Sequence, residues 1–299
     1  MIKKIQANHR LAVFLIALPG ILHFLIFKYI PLLGNIIAFE NYDLFKGMIH
    51  SSWVGFEHFE KMFTYAEFFH ILQNTLVLAL YSIIFGFPAP LLLSLLLNEI
   101  RLIWFKKQVQ TFLYLPHFLS WIIVGGIFLN LLGIEGMVNN FMDWFGLSHI
   151  DFITQVDYFR GILVSLGIWK DVGWGMIIYL AAIAGINPSL YEAAVVDGAS
   201  RWRQIWHITL PSLMPAIVVL FLLRIGHLLD SNVEQVLVFL NPLVRDVGEV
   251  IDTYVYRIGL LGAQFSYSTA IGLFKSIIGF FLIVGLNNLS KKLTGDSIY

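Results

Sequence analysis

Residues 187–211 read Asn187-Pro-Ser-Leu-Tyr-Glu-Ala-Ala-Val-Val-Asp-Gly-Ala-Ser-Arg-Trp-Arg-Gln-Ile-Trp-His-Ile-Thr-Leu-Pro211. They lie between two apolar stretches, Gly161–Ile186 and Pro211–Asp230, each about long enough as a helix to cross roughly 30 Å of hydrocarbon. The Asn187 side chain can accept a bond from an exposed helix N–H, and Pro188 sits where a missing N–H costs nothing, so a helix starts here. It covers Ser189 to about Asp197, and Gly198 can take the left-handed conformation that ends it. Ser200 caps a second short helix, Arg201–His207, before Pro211 opens the next span. Two short helices joined by a glycine turn make a compact knob. Ala193 and Ala194 permit close approach by another surface, and Glu192 places one charge on an otherwise apolar helix. On local chemistry alone, a docking feature and a merely helical connecting loop both fit.

Outward from the knob, the chain of 299 residues is 58% hydrophobic and 13% charged, against roughly 45–50% and about 25% in ordinary globular proteins. A soluble fold of this size has too little interior to hide that surplus, so it must face lipid. Equal numbers of basic and acidic residues, 19 of each, argue against a nucleic-acid partner. With no Cys, disulfides, thiol chemistry and Cys-based metal sites are excluded. The nine His show no spacing of the H-E-x-x-H kind, so a metal site is not expected.

Six stretches qualify as spans: Leu11–Phe39, Asn74–Leu97, Gln110–Leu132, Gly161–Ile186, Pro211–Asp230 and Ser268–Leu289. The first is too long for a signal-peptide core and no small-residue cleavage site follows it, so it is read as a retained span. Basic residues stay on the cytoplasmic side. With the N-terminus inside, ten of them (Lys3, Lys4, Arg10, Arg101, Lys106, Lys107, Arg201, Arg203, Lys291 and Lys292) fall in cytoplasmic segments and five in outer ones. Acidic residues show the reverse bias, with only Glu99, Glu192, Asp197 and Asp296 inside. The expectation is an all-α membrane protein: one transmembrane domain over 1–299, six transmembrane helices, and cytoplasmic N and C termini. Gly133–Phe145 and Asn241–Leu260 mix aliphatic, aromatic and charged residues and are expected to form short interfacial or re-entrant helices.

Glu192-Ala193-Ala194, three residues, Gly198, nine residues, then Ile208-Thr-Leu210-Pro211 resembles, position for position, the signature loop of permease subunits in binding-protein-dependent ABC importers. Trp53-Val-Gly-Phe-Glu-His-Phe59 resembles the family's W-x-G-x-x-N-F segment, with His58 where Asn is usual. Trp169-Lys170-Asp171-Val-Gly-Trp174 resembles its fourth-span motif. Tyr191 to Ser200 has the carbohydrate-uptake form, similar to maltose and glycerol-phosphate permeases. The run from Val250 to Lys292 looks like the polysaccharide-fragment branch, which includes uronate and rhamnogalacturonan oligosaccharide permeases.

The resemblance implies the type I importer fold and a bacterial plasma-membrane location. It also implies four kinds of partner: a second similar permease, two copies of an ATPase subunit, an extracytoplasmic binding protein and an oligosaccharide cargo. Glu192, Ala193, Ala194, Asp197, Gly198, Ile208, Leu210 and Pro211 would then couple this chain to the ATPase. The chain itself would be non-catalytic and without a cofactor: no G-x-x-x-x-G-K-[ST] phosphate loop occurs, so ATP and Mg belong to the partner ATPase.

Polar residues within spans are functional hypotheses by default. Arg224, mid-way along the expected fifth span, has His227 and Asp230 at i+3 and i+6; the three either face the pathway or form an internal ion pair. Lys275 either lines the cavity or snorkels. Trp169 and Lys170, with Asp171 and Trp174, either stack on a sugar ring or belong to an aromatic belt. Pro88 and Pro90 predict a kink in the second span. The alternative reading, an ion-coupled secondary transporter, needs mid-membrane carboxylates. Asp230 is the one such candidate, near a span end, and nothing in that reading explains the spacing from Glu192 to Pro211.

Overall fold

The computed structural model describes residues 2–294, with side chains described over 11–288 and at Lys291. The side chains of Lys3, Lys4, Arg10 and Lys292, and all of Asp296, lie outside the described residues. Among the described residues, six helical segments are long and apolar enough to cross a membrane: Leu11–Phe39, Ala66–Asn98, Trp121–Asp143, Val156–Ala184, Arg201–Gly226 and Phe265–Asn288. The chain divides into two compact units, Met1–Ala66 with Val255–Phe274 and Glu67–Tyr254 with Lys275–Tyr299.

In the first unit, the first span runs into a two-stranded antiparallel hairpin, Glu40–Asn41 with Ser52–Trp53, in the register Glu40↔Trp53. The Trp53-x-Gly55-x-x-His58-Phe59 segment builds this corner. Gly55 has φ +63°, a conformation that a side chain would strain. Phe39 stacks on Trp53 at 5.8 Å and meets Phe56 and Phe59. His58, at the position where the family usually has Asn, hydrogen-bonds through Nε2 to the Glu40 carbonyl at 3.0 Å. Tyr42 N–H donates to the Ser266 hydroxyl at 2.9 Å, tying the hairpin to the start of the last span.

The second unit is organised around the fourth span, a 29-residue helix Val156–Ala184. Glycines set how closely its neighbours approach. A Cβ on Gly173 would lie 1.9 Å from the Leu113 carbonyl oxygen, and one on Gly175 would lie 2.9 Å from Pro90 Cγ. Backbone cannot yield as a flexible side chain does. Gly173→Ala is therefore expected to destabilise by at least about 2 kcal/mol, in the upper range for overpacking, seen as a lowered thermal midpoint of the purified protein. Short helices Arg245–Gly248 and Ile251–Val255 fall within the expected Asn241–Leu260 stretch and Met137–Asp143 within Gly133–Phe145, whereas a further short helix, Val233–Phe239, lies before Asn241, outside both expected stretches. Val236, Phe239, Val244 and Val250 pack with Trp121, Val124, Phe159, Leu163 and Leu166 in one core. Buried Asn74 donates to the Asp246 and Glu249 carbonyls at 2.7 and 3.2 Å and accepts from Arg160 Nη2 at 2.6 Å. This clamp holds the short helices against the bundle and satisfies carbonyls that would otherwise be stranded.

Prolines explain three of the widened turns. Ile30, Phe87 and Leu210 each donate their N–H five residues back, to Leu25, Ser82 and Ile205, and each directly precedes a proline, Pro31, Pro88 and Pro211. Proline has no N–H and its ring clashes with the carbonyl four residues back; one widened π turn absorbs both problems without ending the helix. Pro88 thus leaves the second span continuous.

Three sequence expectations change. The third span, expected as Gln110–Leu132, is not one helix: Ile103–Tyr114 gives way to a 3₁₀ turn, Leu115–Phe118, and a new helix starts at Trp121, capped by Ser120. Pro116 removes a helical donor there, and Ser120 at φ −68°, ψ 154° is extended. The second short helix of the knob is not separate either. It covers Arg201–Gln204 and continues through the π turn into Leu210–Gly226, because Pro211 is accommodated rather than starting a new helix. The fifth helix also stops at Gly226, before Asp230, so Arg224 lies in its last turn and not mid-way. A Cβ on Gly226 would come within 2.4 Å of Ile283 Cγ1 on the sixth span; this close crossing needs the glycine that also ends the helix.

Candidate functional site

The knob forms as its sequence dictates. Asn187 Oδ1 accepts from Ser189 N–H at 3.0 Å and opens the helix Pro188–Val196. Gly198 has φ +74°. Its N–H donates to the Val195 carbonyl at 3.0 Å, and Ala199 N–H donates to Ala194 at 2.8 Å, the paired bonds of a Schellman motif. Ser200 accepts from Arg203 N–H and begins the next helix. Tyr191 reaches across to the buried Thr209 hydroxyl at 2.8 Å, so the first knob helix is braced on the second. No residue of Pro188–Val196 is buried. Glu192, Ala193, Asp197 and Gly198 are exposed, Ala194 half-buried, and Val196 is 88% exposed. Of the remaining coupling candidates, Ile208 and Leu210 are half-buried beside buried Thr209, and Pro211 is exposed. Arg201 pairs with Glu99 at 2.6 Å, which places the loop after the second span and the knob at the same end of this unit.

At the other end of the fifth helix lies a cavity of about 630 Å³. Aliphatic residues such as Leu78, Ile83 and Leu163 form much of its wall, and Ser82, Asp171, Arg224, His227, Asp230, Asn232 and Gln235 supply polar groups. Each of these acidic groups has a partner. His117 Nδ1 meets Asp171 Oδ1 at 2.9 Å, and the His117 ring stacks on Trp174 at 4.6 Å. His227 Nδ1 meets Asp230 Oδ2 at 2.6 Å. Lys275 lies 2.7 Å from Asp230 Oδ1 and also pairs with Asp252, whose other oxygen accepts from Ser231 N–H and Oγ–H at 2.7 and 2.9 Å. Burial raises the Asp230 carboxyl, and hydrogen bonds from Lys275 and His227 more than offset it, leaving the group below its ordinary value; it remains ionised at neutral pH. Arg224 donates to the Ser82 hydroxyl at the π turn of the second span.

The structure therefore brings Arg224, His227 and Asp230 together on the cavity wall and removes Lys275, Trp169 and Lys170 from it. Lys275 lies behind the wall, its ammonium held between Asp230, which lines the cavity, and Asp252. Buried Lys170 donates to the His117 carbonyl at 2.8 Å and lies over Trp121, holding the break in the third span. Trp169 packs edge-on against Phe128. Sequence reading missed Ser82, Asn232, Gln235 and Asp252. Asp252 carried one signal, since a lysine placed inside a span demands a counter-ion, but the span itself gives no partner.

Six lipid-length helices, an exposed capped knob and a polar-walled cavity between spans define a membrane transport subunit. Residues 86–295 match the family model of binding-protein-dependent transport system inner membrane components, and the chain belongs to that family: it is a multi-pass permease subunit of a binding-protein-dependent importer. It is 47% identical to the polygalacturonan/rhamnogalacturonan transport system permease YteP of Bacillus subtilis, over 100% of this chain and 92% of that one. It is 45% identical to protein LplB of the same organism, over 96% and 90%. It superposes with a TM-score of 0.90 on a chain of a bacterial alginate ABC transporter solved in complex with an alginate pentasaccharide-bound periplasmic protein, with 41% identity and 99% of both chains covered.

Proposed function

We propose that the chain forms one half of the membrane path for oligosaccharides in an ATP-driven importer. It would stand beside a second permease, two ATPase subunits and an extracytoplasmic binding protein, and perform no bond chemistry of its own. The knob and both termini would face the cytoplasm, consistent with the basic residues Arg101, Lys106, Lys107, Arg201 and Arg203 in the two loops that the Arg201–Glu99 pair joins. The single observation that carries the reading is mechanical. The knob, exposed and rigidly capped, continues as one helix, Arg201–Gly226, to the residues that wall the cavity. Closure of the ATPase pair around ATP would push the knob and move that wall without a hinge, biasing inward- and outward-open states. Oligosaccharide cargo is supported by the relatives' substrates.

The test is uptake of trigalacturonate into proteoliposomes that hold this chain with its partner subunits. Uptake is expected to need ATP inside and binding protein outside. Accumulation driven by an ion gradient without ATP would instead establish the secondary-transport reading.

A further inference from the structure

The geometry points to Arg224 as the residue that reads a uronate carboxylate on the cargo inside this chain's cavity, an assignment that rests on the oligosaccharide reading above. The argument is one of charge accounting. Around the cavity, Asp171 lies against the His117 ring nitrogen, Asp230 against His227 and the Lys275 ammonium, and Asp252 against the same ammonium. Among the described residues, Arg224 has no carboxylate within ion-pair distance; its partner is the neutral Ser82 hydroxyl. One hydroxyl occupies a small part of a guanidinium that carries five N–H donors in a planar fork. The last turn of the helix offers only partial negative charge. Arg224 is exposed at the cavity rather than buried in the wall, so most of its N–H donors are open to a ligand, and a planar carboxylate accepting two parallel bonds is the group that the fork fits best.

The neighbours favour this use. Lys275 cannot serve, because both of its carboxylate partners already hold it. His227 is held by Asp230. Asn232 and Gln235, on the same wall, offer the amide groups that sugar hydroxyls bond, although the Gln235 amide already donates to the Leu163 carbonyl at 2.6 Å. Ser82 stands in the π turn enforced by Pro88, and turns of this kind recur at functional sites. It steadies the guanidinium without neutralising it. Other permeases of the family need not share this arrangement: it depends on an arginine in the last turn of the fifth helix opposite a π-turn serine.

The test uses the complex of this chain with its partner subunits in neutral-lipid nanodiscs, binding protein omitted. Calorimetric titration compares trigalacturonate with its fully methyl-esterified form, which keeps the sugar and removes the charge. The native complex is expected to prefer the acid at least tenfold. Arg224→Gln should bring the ratio close to one, and Arg224→Lys should keep part of it. An unchanged ratio in Arg224→Gln overturns the assignment, as does equal weakening of both probes. Loss of the partner permease from the Arg224→Gln complex on size exclusion also overturns it, by showing that the counter-charge is a partner carboxylate. If the native complex binds neither probe yet carries trigalacturonate in the ATP-driven assay, the Arg224 assignment falls and the transport reading stands. If it does neither, the transport reading falls as well.

Discussion

Glu192→Arg is expected to lower ATP-driven uptake at least tenfold while leaving the chain folded in the membrane. Glu192 is exposed on a helix with no buried residue, so reversing its charge touches no internal contact, and such surface changes usually shift stability by no more than about 0.5 kcal/mol. Against a partner the balance is different. In the proposed complex the carboxylate meets a basic group in a groove of the ATPase subunit, and disrupting a desolvated charge pair at an interface costs about 2–5 kcal/mol. That corresponds to roughly 30-fold or more in affinity. Gly198→Pro attacks the same coupling through the backbone. The native φ of +74° is inaccessible to proline, and the bond from its N–H to Val195 would be lost. Gly198→Ala is the milder control: a Cβ there meets nothing within 4 Å, so its cost is confined to the left-handed backbone, about 1–2 kcal/mol. Co-purification of the ATPase with each variant, alongside uptake, is the measurement. Native recruitment and uptake by Glu192→Arg and Gly198→Pro together would remove the knob from the coupling path.

Lys275→Met should be the most damaging single change away from the knob, destabilising the protein by about 3–5 kcal/mol. Lys275 and Asp252 are each only 17% exposed, and Asp230 shares the same ammonium. Methionine matches the aliphatic stem but leaves Asp252, largely shielded from water, without its cation, while the more exposed Asp230 keeps its contact with His227. The loss comes from stranded negative charge and not from the pair's own attraction, so the double change Lys275→Met with Asp252→Asn should recover a substantial part of it. The thermal midpoint of the detergent-purified chain reports both. A single variant as stable as the native protein, or a double variant no better than the single, would show that the triad carries no such role.

How far the sequence reached depended on the range of each interaction. The knob was legible almost residue by residue, since Asn187, Gly198 and Ser200 act on backbone groups within a few positions, and helix caps are local chemistry. The spans were legible because lipid imposes one apolar length on every crossing. Their ends were less so. Composition alone does not show that Pro116 breaks the third span while Pro211 is absorbed within the fifth; both lack an N–H, and the outcome depends on whether one widened turn still lets the flanking helices pack. The polar site was least legible. Arg224, Asp230 and Lys275 stood out as charges in apolar surroundings, yet their roles diverged once their partners were known. Lys170 went to a carbonyl 53 residues away, and Arg160 donates to Asn74, 86 residues away.

The solvent, the number of crossings and the knob were readable from the chain alone, since each follows from composition or from contacts a few residues apart; the family was readable only by resemblance to other permeases. The tertiary structure alone decided which charges are satisfied. Asp252 lies 23 residues from Lys275 and Ser82 lies 142 from Arg224, and no local rule links them. The electrostatic state of a charged group within a helix bundle is set by whatever the packing of helices brings within a few ångströms. That packing confines Lys275 between two aspartates and gives Arg224 only a hydroxyl at the edge of the cavity.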